Sequence, residues 1–201
     1  SEEDCSQASG GCPSCIIVPS DLYPTVQSGI DAAAWGDTVL VEQGTYYENL
    51  IIQKSITSIS RAVFDDLSSW MEYDDGYVVA NQNIANTVLD GSHDTNGEGF
   101  ETVLIINSPP GSGCIIPTVK GFTITGGNGT MLNDNYRRGG GFLSNNANPT
   151  LNYNLIIDNY DEIYSGGGGA IDYGDVLPVL EGFEWGTTNN CESSRGDLNL
   201  Q

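Results

Sequence analysis

Pro117-Thr-Val-Lys-Gly-Phe-Thr-Ile-Thr-Gly-Gly-Asn128 returns 32 residues later as Pro149-Thr-Leu-Asn-Tyr-Asn-Leu-Ile-Ile-Asp-Asn-Tyr160, and 29 residues after that as Pro178-Val-Leu-Glu-Gly-Phe-Glu-Trp-Gly-Thr-Thr-Asn189. Each copy runs from proline through an apolar pair and a polar residue into a short alternating stretch, then ends in Gly, Asn, Asp or Thr. Glycine blocks at Gly139–Phe142 and Gly166–Ala170 stand between the copies. Short strands recurring at this period, punctuated by turn residues, predict a solenoid whose units bury their apolar sides only by stacking on one another.

Upstream, the stretch 36–59 breaks into three short β-rich runs around Val39–Val41, Leu50–Ile52 and Ile56–Ile59, each too short for a helix. Before them, Val26, Ile30, Ala33 and Ala34 share a helical face that Gly36 closes, which predicts a short helix over Val26–Ala34. Residues 61–83 interrupt the pattern with an aromatic, acidic insertion containing Trp70, Tyr73 and Tyr77, expected as a surface loop or short helix. Further loops are expected at Asp90–Glu101 and Asn107–Gly113. The chain thus divides into a Cys-rich arm (1–20, with a strand-like run at Cys15–Val18), a repetitive body (21–190) and a polar tail (191–201). No second capping helix is evident near that tail, so the last rung is expected as an exposed edge.

The run Val26-Gln-Ser-Gly-Ile30-Asp-Ala-Ala, then Gly36-Asp-Thr-Val-Leu-Val41 and Gly44-Thr-Tyr-Tyr-Glu-Asn-Leu50, resembles the N-terminal cap and first coil of right-handed parallel β-helix proteins of the pectate-lyase-like group. Gly121–Gly127 and the later Gly-Gly-Gly-Phe and Asn-Pro-Thr-Leu segments are similar to repeat coils of secreted bacterial members. The resemblance implies one all-β right-handed parallel β-helix with a short capping helix over its open end. Its inward ladder would hold Val39, Val41, Leu50, Ile52, Ile56, Val88, Val103, Ile105, Phe122, Ile124, Leu155 and Ile157, with glycines at corners needing positive φ. Six or seven such coils would stand about 30 Å tall at the usual strand spacing.

Twenty-seven acidic residues against six Lys and Arg leave a formal charge of −21. Such a surface repels nucleic acid and anionic lipid, and polyuronates too unless divalent cations bridge the charges. No run approaches the ~20 apolar residues of a membrane helix. The opening at Ser1, with no charged-then-apolar leader, reads as a mature or trimmed product. The five cysteines, Cys5, Cys12, Cys15, Cys114 and Cys191, suit disulfides that pin chain ends in an oxidising, extracellular compartment. Cys12-Pro-Ser-Cys15 lacks the strand-then-helix setting of a redox pair and the second ligand pair of a zinc site. An odd count leaves one thiol free or paired with another chain.

Asp90, Asp94, Asn96 and Glu98 alternate like calcium ligands, although Thr95 stands where an EF-hand loop needs glycine; a solvated acidic turn is the plainer reading, as is a surface role for His93. Arg137 and Arg138 are the candidates for the arginine base of a lyase, with Asp158, Asp161 and Glu162 as carboxylate neighbours; the alternative is a surface ion pair. Trp35, Tyr46, Tyr47, Trp70, Tyr73 and Tyr77 would form either a sugar-stacking platform or the packing of the insertion. Asn128-Gly-Thr130 is a lone glycosylation sequon. No catalytic set stands out. Two functions follow: a secreted structural module that self-associates through its ends and tails, as a filament or surface-layer subunit, or a carbohydrate-active β-helix, a Ca²⁺-dependent polysaccharide lyase or a glycan binder.

Overall fold

The computed structural model describes residues 14–73, 77–93, 100–131 and 137–160, with the backbone of Leu177–Val179 and Phe183–Glu184. Over these residues the chain is strand-rich, its main strands lie in parallel sheets, and its α-helices are two and short. None of the described helices is long and apolar enough to cross a membrane.

Strand β1 (Cys15–Val18) opens a first sheet. Helix α1 (Val26–Ala32) follows, and the chain then places one strand in each of three sheets: β2 (Thr38–Val41), β3 (Gly44–Tyr47) and β4 (Leu50–Ile52). β5 (Thr57–Ser60) returns to the first sheet. An insertion comes next, made of a 3-10 turn (Arg61–Phe64), the hairpin β6 (Met71–Tyr73) and β7 (Tyr77–Val79), and α2 (Gln82–Ala85). β8 (Thr87–Asp90) rejoins the second sheet, β9 (Phe100–Glu101) steps outside, and β10 (Leu104–Asn107) enters the third. β11 (Thr118–Lys120) and β12 (Thr123–Thr125) start another round. β13 (Gly129–Met131) and β14 (Arg137–Arg138) join β9 in an outlying antiparallel sheet before β15 (Phe142–Asn145) closes the round. β16 (Thr150–Asn152) and β17 (Asn154–Ile156) follow.

The repeat period is realised as strand register: Thr118 pairs with Thr150 and Thr123 with Leu155, each 32 residues on. The turn geometry repeats as well. Gly121 (φ 84°) and Gly126 (φ 73°) are succeeded at the same interval by Tyr153 (φ 53°) and Asp158 (φ 52°). Two left-handed corners therefore persist where glycine does not.

The third copy of the motif departs from the other two. β18 (Leu177–Val179) pairs antiparallel with β17 in the second sheet, and β19 (Phe183–Glu184) antiparallel with β16 in the first. Strands β18 and β19 therefore run in reverse along the strands before them, and among the described strands the first and second sheets end in antiparallel pairs.

Val39, Val41, Leu50, Ile52, Ile56, Val103, Phe122, Ile124 and Leu155 are buried as expected. Val88, Ile105 and Ile157 are only partly buried. Their neighbours Leu89, Leu104 with Ile106, and Ile156 take the inward places, because a shift of one residue turns a strand's whole set to the other face.

The expected helix ends two residues early, at Ala32. A seven-residue helix is marginal alone, and residues of the strand connections that follow supply what it lacks. The Glu48 carboxylate accepts the Val26 and Gln27 amides, both at 2.9 Å. Thr25 Oγ1 accepts from Ser28 N, and Ser28 Oγ from Thr25 N. At the other end Lys54 Nζ donates to the carbonyls of Ile30, Asp31 and Ala33 at 3.1, 2.8 and 2.6 Å. An anion thus sits at the positive end of the helix and a cation at the negative end. The Gln27 amide fills in for a missing strand: its Oε1 accepts from Ile51 N (2.8 Å) and its Nε2 donates to Ile51 O (3.1 Å), which satisfies the edge of β4. Lys54→Met is expected to cost about 1–2 kcal/mol, read as a lower urea midpoint with an unchanged m-value. An unmoved midpoint removes Lys54 from the cap.

The insertion packs where aromatic clusters usually go. Trp70 is buried with Ala62 and Ile84, and its ring meets Tyr153 edge-on at 6.0 Å. Arg61 grips Glu42 through both Nε (3.0 Å) and Nη2 (2.6 Å), tying two successive rounds at one corner. The Arg61 hydrogen bond holds the Glu42 carboxyl below its usual range of about 4.5. A depressed carboxyl contributes stability above its unfolded pKa and loses it as pH falls through the folded value. The advantage of the wild type over Glu42→Gln is therefore expected to shrink below about pH 4.5, as seen in acid titrations of both proteins. With Glu42 37% exposed, solvent screening keeps the difference under about 1 kcal/mol.

Candidate functional site

Connections between the second and third sheets grow along the chain. Two residues, Glu48 and Asn49, join β3 to β4; residues 91–103 join β8 to β10; residues 126–141 join β12 to β15. The two long connections leave from one corner and share the outlying sheet, where Gly129 pairs with Glu101 and Thr130 with Arg138. Beneath it, the hydroxyls of Thr102 and Thr130 are buried and 2.7 Å apart. Extra length collected at one corner of a repeating fold is the usual place for a binding face.

The base of the corner is rigid. Buried Asn49 Nδ2 donates to the carbonyls of Gly91 (3.3 Å) and Thr102 (3.1 Å), clamping both ends of the first insertion. One round on, Asn159 Oδ1 accepts from Gly127 N (2.9 Å) while its Nδ2 reaches Ile124 O and Ile157 O. Val103 N donates to Gly140 O, and Tyr160 N to Gly127 O. Gly127 and Gly140 are glycines because the neighbouring backbone lies where a Cβ would stand.

On this base Tyr47, Asp90 and Thr125 stand in register across successive strands. Tyr47 is half exposed and carries the His93 ring edge-on at 4.8 Å. Ser92 Oγ lies 3.1 Å from His93 Nδ1, and Asp90 Oδ1 accepts the Ser92 amide at 2.9 Å. The result is an aromatic and imidazole shelf beside a carboxylate, suited to stacking and hydrogen bonding.

Of the expected calcium set, Asp90 stands at this corner; Asp94, Asn96 and Glu98 lie outside the described residues. Among the described residues no three His, Cys, Asp or Glu side chains group as metal ligands. Arg137 and Arg138, expected in a loop, form β14, and Arg137 Nη1 donates to Gly129 O at 3.0 Å. The Arg138 side chain, Asp161 and Glu162 are outside the described residues. Lys54 and Arg61 serve the cap and the Glu42 pair, and Lys120 lies over the Tyr153 ring at 5.1 Å. Tyr46 is half-buried and donates its hydroxyl to Glu42 O; burial, then the charges of Glu42 and Glu48, push its phenol above 10. Trp35 is exposed, while the side chains of Tyr73 and Tyr77 are not among those described.

Cys15 and Cys114 are each disulfide-bonded; Cys5, Cys12 and Cys191 lie outside the described residues. Sequence reading missed the Tyr47–His93 shelf, because 46 residues separate the two and only strand register brings them together. It also missed the asparagine clamps, whose one signal is the interval of 32 residues from Gly127 to Asn159. No family model matches the chain, and no curated protein matches it.

Proposed function

We propose that the chain is a right-handed parallel β-helix of the pectate-lyase-like kind, exported and used as a structural module that associates with copies of itself through its ends. The repeated order of first, second and third sheet supports the helix reading, and the two disulfide-bonded cysteines support an oxidising compartment.

The observation that carries self-association is the partial cap. Helix α1 bonds to the backbone edge of β4 through Gln27, while against β1 it presents only apolar contact, Gly29 on Ile16 and Val18. Among the described strands, β1 (Cys15-Ile-Ile-Val18) and β3 (Gly44-Thr-Tyr-Tyr47) end the other two sheets, and neither carries a charged residue or a proline. Protein edges meant to stay single are blunted by such residues. Leu22 (81% exposed) and Trp35 (55%) flank the same helix. End-to-end contact between unlike ends does not close, and it yields fibres.

Light scattering across a concentration series, with negative-stain microscopy, tests the reading. Growth into elongated particles is expected, suppressed in a Leu22→Lys, Trp35→Lys variant. Monodisperse monomer at every concentration overturns it. The Tyr47–His93 shelf favours a second reading as a Ca²⁺-assisted glycan binder or lyase. That reading predicts pectate or alginate retention lost in Tyr47→Ala, with absorbance of unsaturated product if the chain is a lyase.

A further inference from the structure

Tyr47, Asp90 and Thr125 share one outward row of the second sheet, because the residues before them, Tyr46, Leu89 and Ile124, turn to the core side. Ile157 N donates to Ile124 O and brings β17 alongside, so the row crosses three strand spacings, about 14 Å. Asp158 and Tyr160 follow at the same corner: Asp158 O accepts from Gly126 N, and Tyr160 N donates to Gly127 O. Tyr47 and Tyr160 are 51% and 44% exposed. An exposed aromatic residue thus stands near each end of the row, with hydroxyls and carboxylates between them.

The charge of this row is negative. Asp90 and Asp158 supply it, and among the described residues neither meets a lysine or arginine. Gly126 (φ 73°) leaves room for the first of them, since a Cβ there would strike Asp90 Oδ1. That oxygen accepts the Ser92 amide, which fixes the carboxylate beside the Tyr47 and His93 rings. Within a chain of formal charge −21, such a row repels uronates and attracts cations.

We propose that this row binds a linear glycan of amino sugars, laid across the strands with its ammonium groups on Asp90 and Asp158. The C–H face of a pyranose is apolar and lies well on an aromatic ring, while its rim stays wet. A sugar ring spans roughly one strand spacing, so consecutive sugars meet consecutive strands. An ammonium beside Asp90 gains a charge-assisted hydrogen bond and the Tyr47 ring as a cation–π partner. Ser92 Oγ and Thr125 Oγ1 stand within the row for the sugar hydroxyls. A chain of this charge needs no bridging Ca²⁺. The inference rests on the glycan-binding reading of this corner, with a ligand of opposite charge, and is independent of self-association.

Calorimetric titration of the full chain with the fully deacetylated glucosamine tetramer tests it, beside cellotetraose and tetragalacturonate with Ca²⁺. The glucosamine tetramer is expected to bind roughly tenfold more tightly than cellotetraose. Tyr47→Ala, Tyr160→Ala and Asp90→Asn are each expected to weaken it about tenfold. The melting temperature of Asp90→Asn should hold, because asparagine keeps the acceptor for Ser92 N. Phe64→Ala, which removes an exposed aromatic of the insertion, is expected to bind as wild type. Binding that ignores Tyr47→Ala and falls alike in Asp90→Asn and Asp21→Asn is attraction by the overall charge, and overturns the site. Preference for cellotetraose or tetragalacturonate overturns the amino-sugar assignment and leaves the glycan reading standing. Binding of none of the three overturns both.

Discussion

Replacing Asn154 by leucine is expected to lower the unfolding free energy by about 3 kcal/mol, because two buried backbone groups lose their partners together. Asn154 is fully buried; its Oδ1 accepts from Phe122 N at 3.0 Å and its Nδ2 donates to Val119 O at 2.9 Å. One amide therefore serves a donor and an acceptor of the preceding round, at the corner between the first and second sheets. Leucine has similar bulk but neither hydrogen-bonding function, so each orphaned group carries a penalty of about 1–3 kcal/mol. For a chain of this length the melting temperature is expected to fall by roughly 6–12 °C. An aspartate at this position would keep the acceptor and lose the donor, setting a carboxylate against the Val119 carbonyl, so Asn154→Asp should recover little at neutral pH. A melting temperature within about one degree of wild type for Asn154→Leu would show that water or backbone movement replaces both bonds.

The second large effect is expected from Gly127→Ala. A Cβ at Gly127 would fall inside the contact distance of the Gly140 carbonyl, which is backbone and engaged with Val103 N. Neither side is free to yield, since Tyr160 N holds Gly127 O and Asn159 holds Gly127 N. The variant is expected to lose more than about 3 kcal/mol, or to release the connection 126–141 from the corner. Limited proteolysis separates the outcomes, with new cuts confined to that connection in the second case. Gly36→Ala is the control: Gly36 has φ 85° and open space around its Cβ position, so only the left-handed backbone opposes it, at about 1–2 kcal/mol. If both variants melt alike, the corner is looser than its hydrogen bonds indicate.

Several features were legible in the residues alone. The spacing from Pro117 to Pro149 announced the interval that later appears as strand register. β-Branched runs at Val39–Val41 and Leu50–Ile52 became strands, and the Val26 face became a helix under the sheets. Apart from the 32-residue interval, these are local signals, carried by side-chain periodicity and turn chemistry within a dozen residues. The same signals stop short at Val88, Ile105 and Ile157, where consecutive aliphatic residues offer two faces of equal hydrophobicity. Only the neighbouring strand selects which one points inward.

What the chain determined by itself was the interval, the strand-rich class and the positions of most corners, because each follows from conformational preferences of short segments. The tertiary structure decided the rest. It reversed the direction of the segment from Pro178, put left-handed backbone at Tyr153 and Asp158, joined Tyr47 to His93, and gave Glu48 and Lys54 to the two ends of one helix. Each of these depends on a partner distant in sequence, whose position exists only once strands from separate parts of the chain have paired.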